Sequence, residues 1–87
     1  MTTKTTTIKS PDGLHARPAG DLAKLAKSFP GTKVILSNGV REVNASSILS
    51  ILSLGLKKGT VVEVKADGPD GEKAVEAMTE FLDNMEG

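Results

Sequence analysis

Apolar residues recur along this chain with two different periods, and these periods distinguish predicted helices from predicted strands. Residues 22–29 and 74–85 space their apolar side chains at three- and four-residue intervals, which places them on one face of a helix. These side chains are Leu22, Leu25, Ala26 and Phe29 in the first segment, and Ala74, Val75, Met78, Phe81, Leu82 and Met85 in the second. In residues 60–66 apolar and charged side chains alternate, which is typical of a strand with one buried face.

Shorter patterns fill the intervals between these segments. Residues 2–9 are rich in the β-branched residue threonine and predict a strand that ends at a turn over residues 10–13. Asn38-Gly39 lies between two β-prone runs, so we predict a two-residue type I′ hairpin there. Residues 48–54, flanked by serines and by a glycine, predict a short helix with apolar residues on more than one face.

The predicted order of elements is therefore β-α-β-β-α-β-α. Strands with one apolar face imply a sheet that is covered on one side, so the two longer helices are expected to lie across that side. We expect a single α+β domain with two layers over residues 1–87, because a chain of this length forms one core. In the short helix we expect Ile48, Ile51 and Leu52 to face inward and Leu49 to stay exposed.

The composition excludes several classes of site and partner. The chain has no cysteine and one histidine, so disulfides, thiolate metal sites and multi-histidine metal sites are not expected. Its 11 basic and 11 acidic residues balance, which argues against a general affinity for nucleic acid or for an anionic membrane. No apolar run has the length of a membrane span or of a signal peptide. We expect a cytoplasmic protein with no cofactor, no direct contact with nucleic acid and no membrane insertion.

The candidate chemistry is concentrated at His15, the one histidine of the chain. Pro18 lies where the apolar periodic segment begins, as suits the first turn of a helix, and this places His15 at or just before the helix start. The N–H groups of a first helical turn have no acceptor within the helix, and with the positive end of the helix dipole they form a site for an anion such as phosphate. Arg17 can add two-point hydrogen bonds to the phosphate oxygens.

A lone histidine is more often a surface or capping residue than a chemical one. A capping role is disfavoured at this position because serine, threonine, aspartate and asparagine are better N-caps. The chain shows no Ser-His-Asp or Cys-His arrangement, and so small a domain encloses little volume for a catalytic pocket. A nucleophile without further catalytic groups favours a covalent carrier over an enzyme.

Residues 13–19, Gly-Leu-His-Ala-Arg-Pro-Ala, resemble the active-site signature of the HPr family, the histidine phosphocarriers of the bacterial phosphoenolpyruvate:sugar phosphotransferase system. The resemblance runs the length of the chain and includes residues 37–39, 47–48, 53–56 and 58–62. It implies an open-faced two-layer sandwich, in which three helices lie on one face of a four-stranded antiparallel sheet.

The resemblance also implies a phosphoryl carrier that is not an enzyme. His15 would accept a phosphoryl group on Nδ1 from phosphorylated enzyme I and donate it to sugar-specific enzyme IIA domains. Arg17 would neutralise the phosphate, with the backbone N–H groups of Ala16 and Arg17 as further donors. The alternative is a regulatory or nitrogen-branch relative that acts mainly by phosphorylation-dependent binding. Regulatory relatives replace the histidine, so the presence of His15 argues against that kind.

Ser47 matches the regulatory serine of the family, which links it to carbon catabolite regulation. Its modification would add HPr kinase/phosphorylase and a catabolite-control transcription factor to the partners. Ser46 is the nearest alternative, because both serines suit a helix N-cap. The chain also has one residue more between Asn38-Gly39 and Ser47 than most of the family.

The resemblance places partner contacts on the surface beside His15. Leu49 and Leu52 are candidates for an apolar patch that docks enzyme I and IIA domains, because a short helix with several apolar faces cannot bury all of them. The other candidate docking residues are Gly20, Lys24 and Lys27, and the lysines suit an acidic partner surface. A monomer is expected.

Overall fold

The structure is a computed structural model of the chain and describes residues 1–85. The elements are, in order, β1 (Thr2–Thr7), α1 (Ala16–Lys27), β2 (Lys33–Ser37), β3 (Glu42–Asn44), α2 (Ile48–Ser53), β4 (Val61–Asp67) and α3 (Gly71–Asn84). The four strands form one antiparallel sheet in the spatial order β1-β4-β2-β3. Within residues 1–85, no helix is both long enough and apolar enough to cross a membrane.

The sheet buries one face because apolar and polar residues alternate along its strands. In β4, Val62, Val64 and Ala66 are buried, whereas Glu63 and Lys65 lie on the opposite face. Helix α3 packs across β1, β4 and β2, while α1 packs against both α3 and α2, and α2 contacts β3. This arrangement confirms the α+β fold with the predicted order of elements.

The long helices bury the apolar stripes that their periodicity predicts. Leu22 of α1 and Met78 and Leu82 of α3 are fully buried in the core. Leu25 and Phe81 are half-buried and pack against the edge of this core. The apolar face of each helix is therefore wider than the core surface that it covers. Leu25 and Phe81 remain partly accessible between α1 and α3.

The hairpin between β2 and β3 differs from the predicted turn. Ser37 pairs with Glu42 in the strand register, so the turn is centred on Gly39 and Val40. Gly39 has a φ of +93°. Every residue with a positive φ among residues 1–85 is a glycine, so Asn38 does not have one. A type I′ turn over Asn38-Gly39 needs a positive φ at both positions, so that prediction is wrong.

The side chain of Asn38 explains the shift of this turn. Its Oδ1 accepts hydrogen bonds from the N–H groups of Val40 and Arg41, each at 2.9 Å. Its Nδ2 donates to the carbonyl of Leu54 at 3.2 Å, which joins the hairpin to the end of α2. Asn38 therefore precedes the turn and caps it, rather than forming its first central residue.

Helix α2 also differs in part from its predicted orientation. Ile51 is buried and Leu52 is half-buried, as expected, and Leu49 is 80% exposed. Ile48, which was expected to face inward, is 44% exposed. Its Cδ1 lies 3.8 Å from the position that a Cβ would take at Gly20. Ile48 is thus directed over α1 rather than into the core.

The segment before α1 is held against the loop that follows α2. Gly13 has a φ of +68°, and a Cβ there would lie only 2.5 Å from the carbonyl oxygen of Leu56. The N–H of Leu14 donates to the same carbonyl at 2.9 Å, and the N–H of Gly13 donates to the carbonyl of Ser10 at 3.0 Å. Leu14 and Leu56 are both buried. These contacts anchor the residue immediately before His15.

We expect Gly13→Ala to lower the free energy of unfolding by about 2–4 kcal/mol, because the methyl group meets backbone atoms in a left-handed conformation. Gly55→Ala is the matched control, since Gly55 has a φ of +62° but no atom within 4 Å of its Cβ position. Only the conformational cost of about 1–2 kcal/mol applies there. Urea denaturation followed by circular dichroism measures both losses. Equal losses would show that the approach to Leu56 contributes nothing.

Candidate functional site

His15 is the N-cap residue of α1. Its backbone is extended, with φ −107° and ψ −173°, and its carbonyl accepts a hydrogen bond from the N–H of Ala19 at 2.9 Å. The imidazole is exposed and makes no capping hydrogen bond to the helix. The ring therefore lies at the helix start, as the position of Pro18 predicts, without serving to cap the helix.

Backbone donors lie next to this ring. The N–H groups of Ala16 and Arg17 are in the first turn of α1, where the helix itself supplies no acceptor, and Pro18 has no N–H. The first turn contains no acidic residue, so no side chain of that turn neutralises the positive end of the helix dipole. The helix start thus suits an anion bound or attached next to His15.

His15 and Arg17 line the same open cleft, which has a volume of about 560 Å³ and also includes Asp21. The other lining residues are Ala16, Pro18, Phe81 and Met85. The guanidinium of Arg17 is exposed on the same helical turn as the imidazole, where it can pair with phosphate oxygens. Among residues 1–85, the ionisable groups that line the cleft are one imidazole, one guanidinium and one carboxylate.

Phe81 and Met85 were not predicted as cleft residues. Both belong to the apolar stripe of the last predicted helix, and both are half-buried in the structure. The signal in the sequence was the width of that stripe, which exceeds what the sheet covers. Packing of α3 against α1 brings these side chains beside His15.

The described residues contain no group of three or more histidine, cysteine, aspartate or glutamate side chains that could hold a metal ion. The cleft offers one nucleophilic ring with positive charge and N–H donors around it. Such a set can take up an anionic group covalently and neutralise its charge. The cleft is open to solvent, so it does not by itself exclude water from the bound group.

Helix α2 carries an exposed apolar surface that includes one of the two docking leucines predicted there. Ile48 and Leu49, which we call the apolar α2 patch, are 44% and 80% exposed. Gly20 lies against this patch on α1, in contact with Ile48. Leu52 is half-buried and packs against the core, so it contributes less surface than the patch itself. Sequence reasoning assigned Leu49 to this surface but missed Ile48.

Lys24 and Lys27 are exposed near the C-terminal end of α1. At 1.5 Å of rise per residue, they lie ~13 Å and ~18 Å along the helix axis from His15. A phosphoryl group on His15 is therefore out of reach of both ammonium groups. Any role for these lysines is in contact with a large partner.

The sequence model of a family described as "PTS HPr component phosphorylation site" matches residues 2–84. The chain belongs to the HPr family. A relative from Vibrio cholerae serotype O1, named phosphocarrier protein HPr, is 39% identical over 85 residues, which are 98% of this chain and 99% of the relative. The phosphocarrier protein HPr of Haemophilus influenzae is 33% identical over 86 residues, which are 99% of this chain and 100% of the relative.

Solved HPr structures are similar to the whole fold. The crystal structure of HPr-C-His from Thermoanaerobacter tengcongensis has a TM-score of 0.89 at 37% identity, covering 95% of this chain and 92% of that chain. HPr from Bacillus anthracis has a TM-score of 0.87 at 30% identity, covering 93% and 95%. An HPr dimer from Thermoanaerobacter tengcongensis is also similar, with a TM-score of 0.73 at 37% identity, covering 95% and 94%. The monomeric state expected for this chain stays a prediction.

Membership of the HPr family identifies the chain as a phosphocarrier of the phosphotransferase system and not as an enzyme. It confirms the resemblance that residues 13–19 suggest. The similar structures confirm the expected four-stranded antiparallel sheet with three helices.

The two serines before α2 make different hydrogen bonds. Ser47 is the N-cap of α2, and its Oγ accepts from the N–H of Ser50 at 3.3 Å. The Oγ of Ser46 donates to Oδ1 of Asn44 at 2.7 Å, and its N–H donates to the same atom at 2.9 Å. Ser47 therefore caps the helix of this HPr, whereas Ser46 belongs to the preceding turn.

We expect Ser47→Ala to lower the free energy of unfolding by about 1 kcal/mol, because it leaves the first turn of α2 without its side-chain acceptor. Ser46→Ala removes an exposed bond to Asn44 and is expected to cost less than about 0.5 kcal/mol. Chemical denaturation of the two variants measures the difference. A larger loss in Ser46→Ala than in Ser47→Ala would contradict the assignment of the cap.

Proposed function

We propose that this HPr-family chain carries its phosphoryl group on His15, receives it from phosphorylated enzyme I and gives it to sugar-specific enzyme IIA domains. We also propose that it works as a single-domain monomer in the cytoplasm. One observation carries the first proposal: the exposed imidazole lies at the start of α1, in the same cleft as Arg17.

In the proposed step, the lone pair of Nδ1 of a neutral His15 attacks the phosphorus of the donor phosphohistidine. The new N–P bond forms as the donor's N–P bond breaks, and the bonding electron pair returns to the donor ring. That ring, protonated on its other nitrogen, leaves as a neutral imidazole. The proton on Nε2 of His15 stays in place, so the phosphorylated ring is an imidazolium. Onward transfer repeats the step with His15 as the donor.

This transfer needs no general base, because no proton moves between the two rings. Exchange between two imidazoles is nearly balanced in energy, so positioning and neutralisation of charge are sufficient. Arg17 supplies a guanidinium that can bind two phosphoryl oxygens, and the N–H groups of Ala16 and Arg17 add backbone donors. These groups match what the cleft contains.

We assign the docking of enzyme I and IIA domains to the apolar α2 patch, with Gly20 and Leu52 at its edge. The patch is exposed and lies against α1. A partner that covers it can also close the open cleft at His15 and exclude water from the transferred group. Lys24 and Lys27 extend this surface along α1 and suit an acidic partner face.

We propose Ser47 as the regulatory serine, modified by HPr kinase/phosphorylase and recognised by a catabolite-control transcription factor. The support for Ser47 over Ser46 is its position directly before Ile48, the first residue of the apolar α2 patch. A phosphate on Ser47 adds negative charge beside an apolar docking surface, which weakens the docking of partners. The Oγ of Ser46 donates its proton to Asn44, whereas the Oγ of Ser47 accepts a hydrogen bond from the N–H of Ser50.

Incubation with phosphoenolpyruvate and purified enzyme I is expected to add about 80 Da to the chain, measured by intact mass spectrometry. The added mass is lost in acid, because a phosphoramidate hydrolyses there and a phosphate ester does not. His15→Gln is expected to remain unlabelled under the same conditions. Labelled His15→Gln, or an unlabelled wild-type chain under conditions that label the HPr of Vibrio cholerae, would contradict the proposal.

Arg17→Ala is expected to slow phosphorylation by enzyme I about tenfold to a hundredfold, because the transferred charge loses its guanidinium partner. Its free energy of unfolding should change by less than about 0.5 kcal/mol, since Arg17 is exposed. Lys33→Ala removes one positive charge beyond the opposite end of α1 and serves as the control. Rapid quench measurements give both rates. Similar slowing in the two variants would show that Arg17 acts only through the net charge.

Incubation with ATP and HPr kinase/phosphorylase is expected to add an acid-stable phosphate that Ser47→Ala abolishes. Tandem mass spectrometry of the peptide locates the phosphate. The phosphorylated chain should accept a phosphoryl group from enzyme I more slowly than the unmodified chain, because the docking surface carries the added charge. Label that persists in Ser47→Ala but disappears in Ser46→Ala would assign the site to Ser46 instead.

A further inference from the structure

Asp21 supplies the one carboxylate among the described residues that line the His15 cleft. It follows Arg17 by four residues on α1, a spacing that places two side chains on the same helical face with their Cβ atoms about 5–6 Å apart. The side chain of Asp21 is exposed. The cleft that accepts an anion therefore also contains a fixed negative charge.

The carboxylate of Asp21 is not neutralised by Arg17 in the structure. The ion pairs among residues 1–85 are formed by Lys9 and Lys65, and in that part of the chain no cation lies within 4.0 Å of Asp21. The facing wall of the cleft is apolar, formed by Phe81 and Met85. Asp21 and the phosphoryl position face the same open cleft, so water and salt weaken their repulsion but no ion pair of Asp21 cancels it.

A carrier has to release its phosphoryl group as readily as it accepts it. Arg17 and the helix start favour the phosphorylated state because they attract the phosphoryl charge. If only these groups were present, the phosphorylated protein would be strongly stabilised, and transfer of the phosphoryl group to the next acceptor would have an unfavourable free energy. A negative charge in the same cleft offsets part of this attraction.

We propose that Asp21 sets the phosphoryl-transfer equilibrium of the chain. Its carboxylate repels the phosphoryl group on His15, so it destabilises the phosphorylated protein relative to the free one and favours release to the next acceptor. The inference rests on the proposed function of His15. It adds no reactant to the transfer step, since Asp21 neither binds phosphorus nor exchanges a proton.

The expected size of the effect follows from screened Coulomb repulsion across an open cleft. Neutralising Asp21 should increase the equilibrium constant for phosphorylation about threefold to tenfold. The effect should shrink when the NaCl concentration rises from about 0.05 M to about 0.5 M, because the Debye length then falls from about 14 Å to about 4 Å. A structural role in α1 would not produce this dependence on salt.

The equilibrium constant is measurable with enzyme I, phosphoenolpyruvate and pyruvate at fixed ratios, using the phosphorylated fraction from intact mass. Asp21→Asn is expected to show the threefold to tenfold increase, whereas Asp21→Glu, which keeps the charge, should stay near the wild-type value. Asp67→Asn is the matched control, because it removes the same charge from the end of β4 at the far end of α1. Circular dichroism confirms that each variant is folded before the measurement.

An equilibrium constant in Asp21→Asn equal to that of the wild type, with both proteins labelled on His15, would overturn this inference and leave the proposed function intact. The same increase in Asp67→Asn would also overturn it, because the effect would then be one of net charge. A change in the rate of labelling without a change in the equilibrium would assign Asp21 to docking and contradict its proposed role. A wild-type chain that enzyme I does not label would overturn both proposals.

Discussion

The close approach of Gly13 to the carbonyl of Leu56 is the contact on which the functional end of the molecule depends. Because residue 13 has no side chain, the segment before α1 can lie directly on the loop after α2. The N–H of Leu14 donates to the same carbonyl and the side chain of Leu14 is buried, so that His15, the next residue, is the first exposed one after this contact. The helix then begins at the next residue. The relation between the imidazole, Arg17 and the helix start is thus set by the backbone.

The same loop determines where α2 lies relative to this site. The carbonyl of Leu54 accepts a hydrogen bond from Asn38, while the carbonyl of Leu56 faces Gly13, and both leucine side chains are buried. The end of α2 is therefore held between the β2–β3 hairpin and the entry to α1. The apolar α2 patch and the His15 cleft are placed by backbone and asparagine contacts and do not depend on each other's exposed side chains. Substitutions in the patch can therefore change its surface without moving His15.

The elements and the His15 site could be predicted from the sequence because both depend on local spacing. Burial on one face imposes a period of two on a strand such as β4 and three to four on α1, and the histidine, the arginine and the helix start lie within one turn. The turn at Asn38 was predicted wrongly because the Asn-Gly pattern does not show that this side chain, besides its local bonds, is held by Leu54, which only the fold brings near. Ile48 is directed over Gly20 of another helix rather than into the core, and Phe81 reaches the cleft through the packing of α3. Each of these errors concerns a tertiary contact that no local pattern contains.

The charges that support the sheet are separate from those of the site. On the face opposite the helices, Lys65 of β4 reaches over β2 and donates a hydrogen bond to Glu42 of β3, and it also pairs with Glu63 at 3.1 Å. The bonds to Glu42 and then Glu63 raise the pKa of Lys65 above its ordinary value. The folded state therefore binds the Lys65 proton more tightly than the unfolded chain does. The stabilisation of the fold by this interaction is complete below the ordinary lysine pKa, and it is lost only as the pH rises through the raised pKa. At neutral pH the cross-strand interaction is constant, and it lies on the face of the sheet opposite the helices and the His15 cleft. A change of charge in that cleft therefore leaves the interaction of Lys65 with Glu42 and Glu63 unchanged.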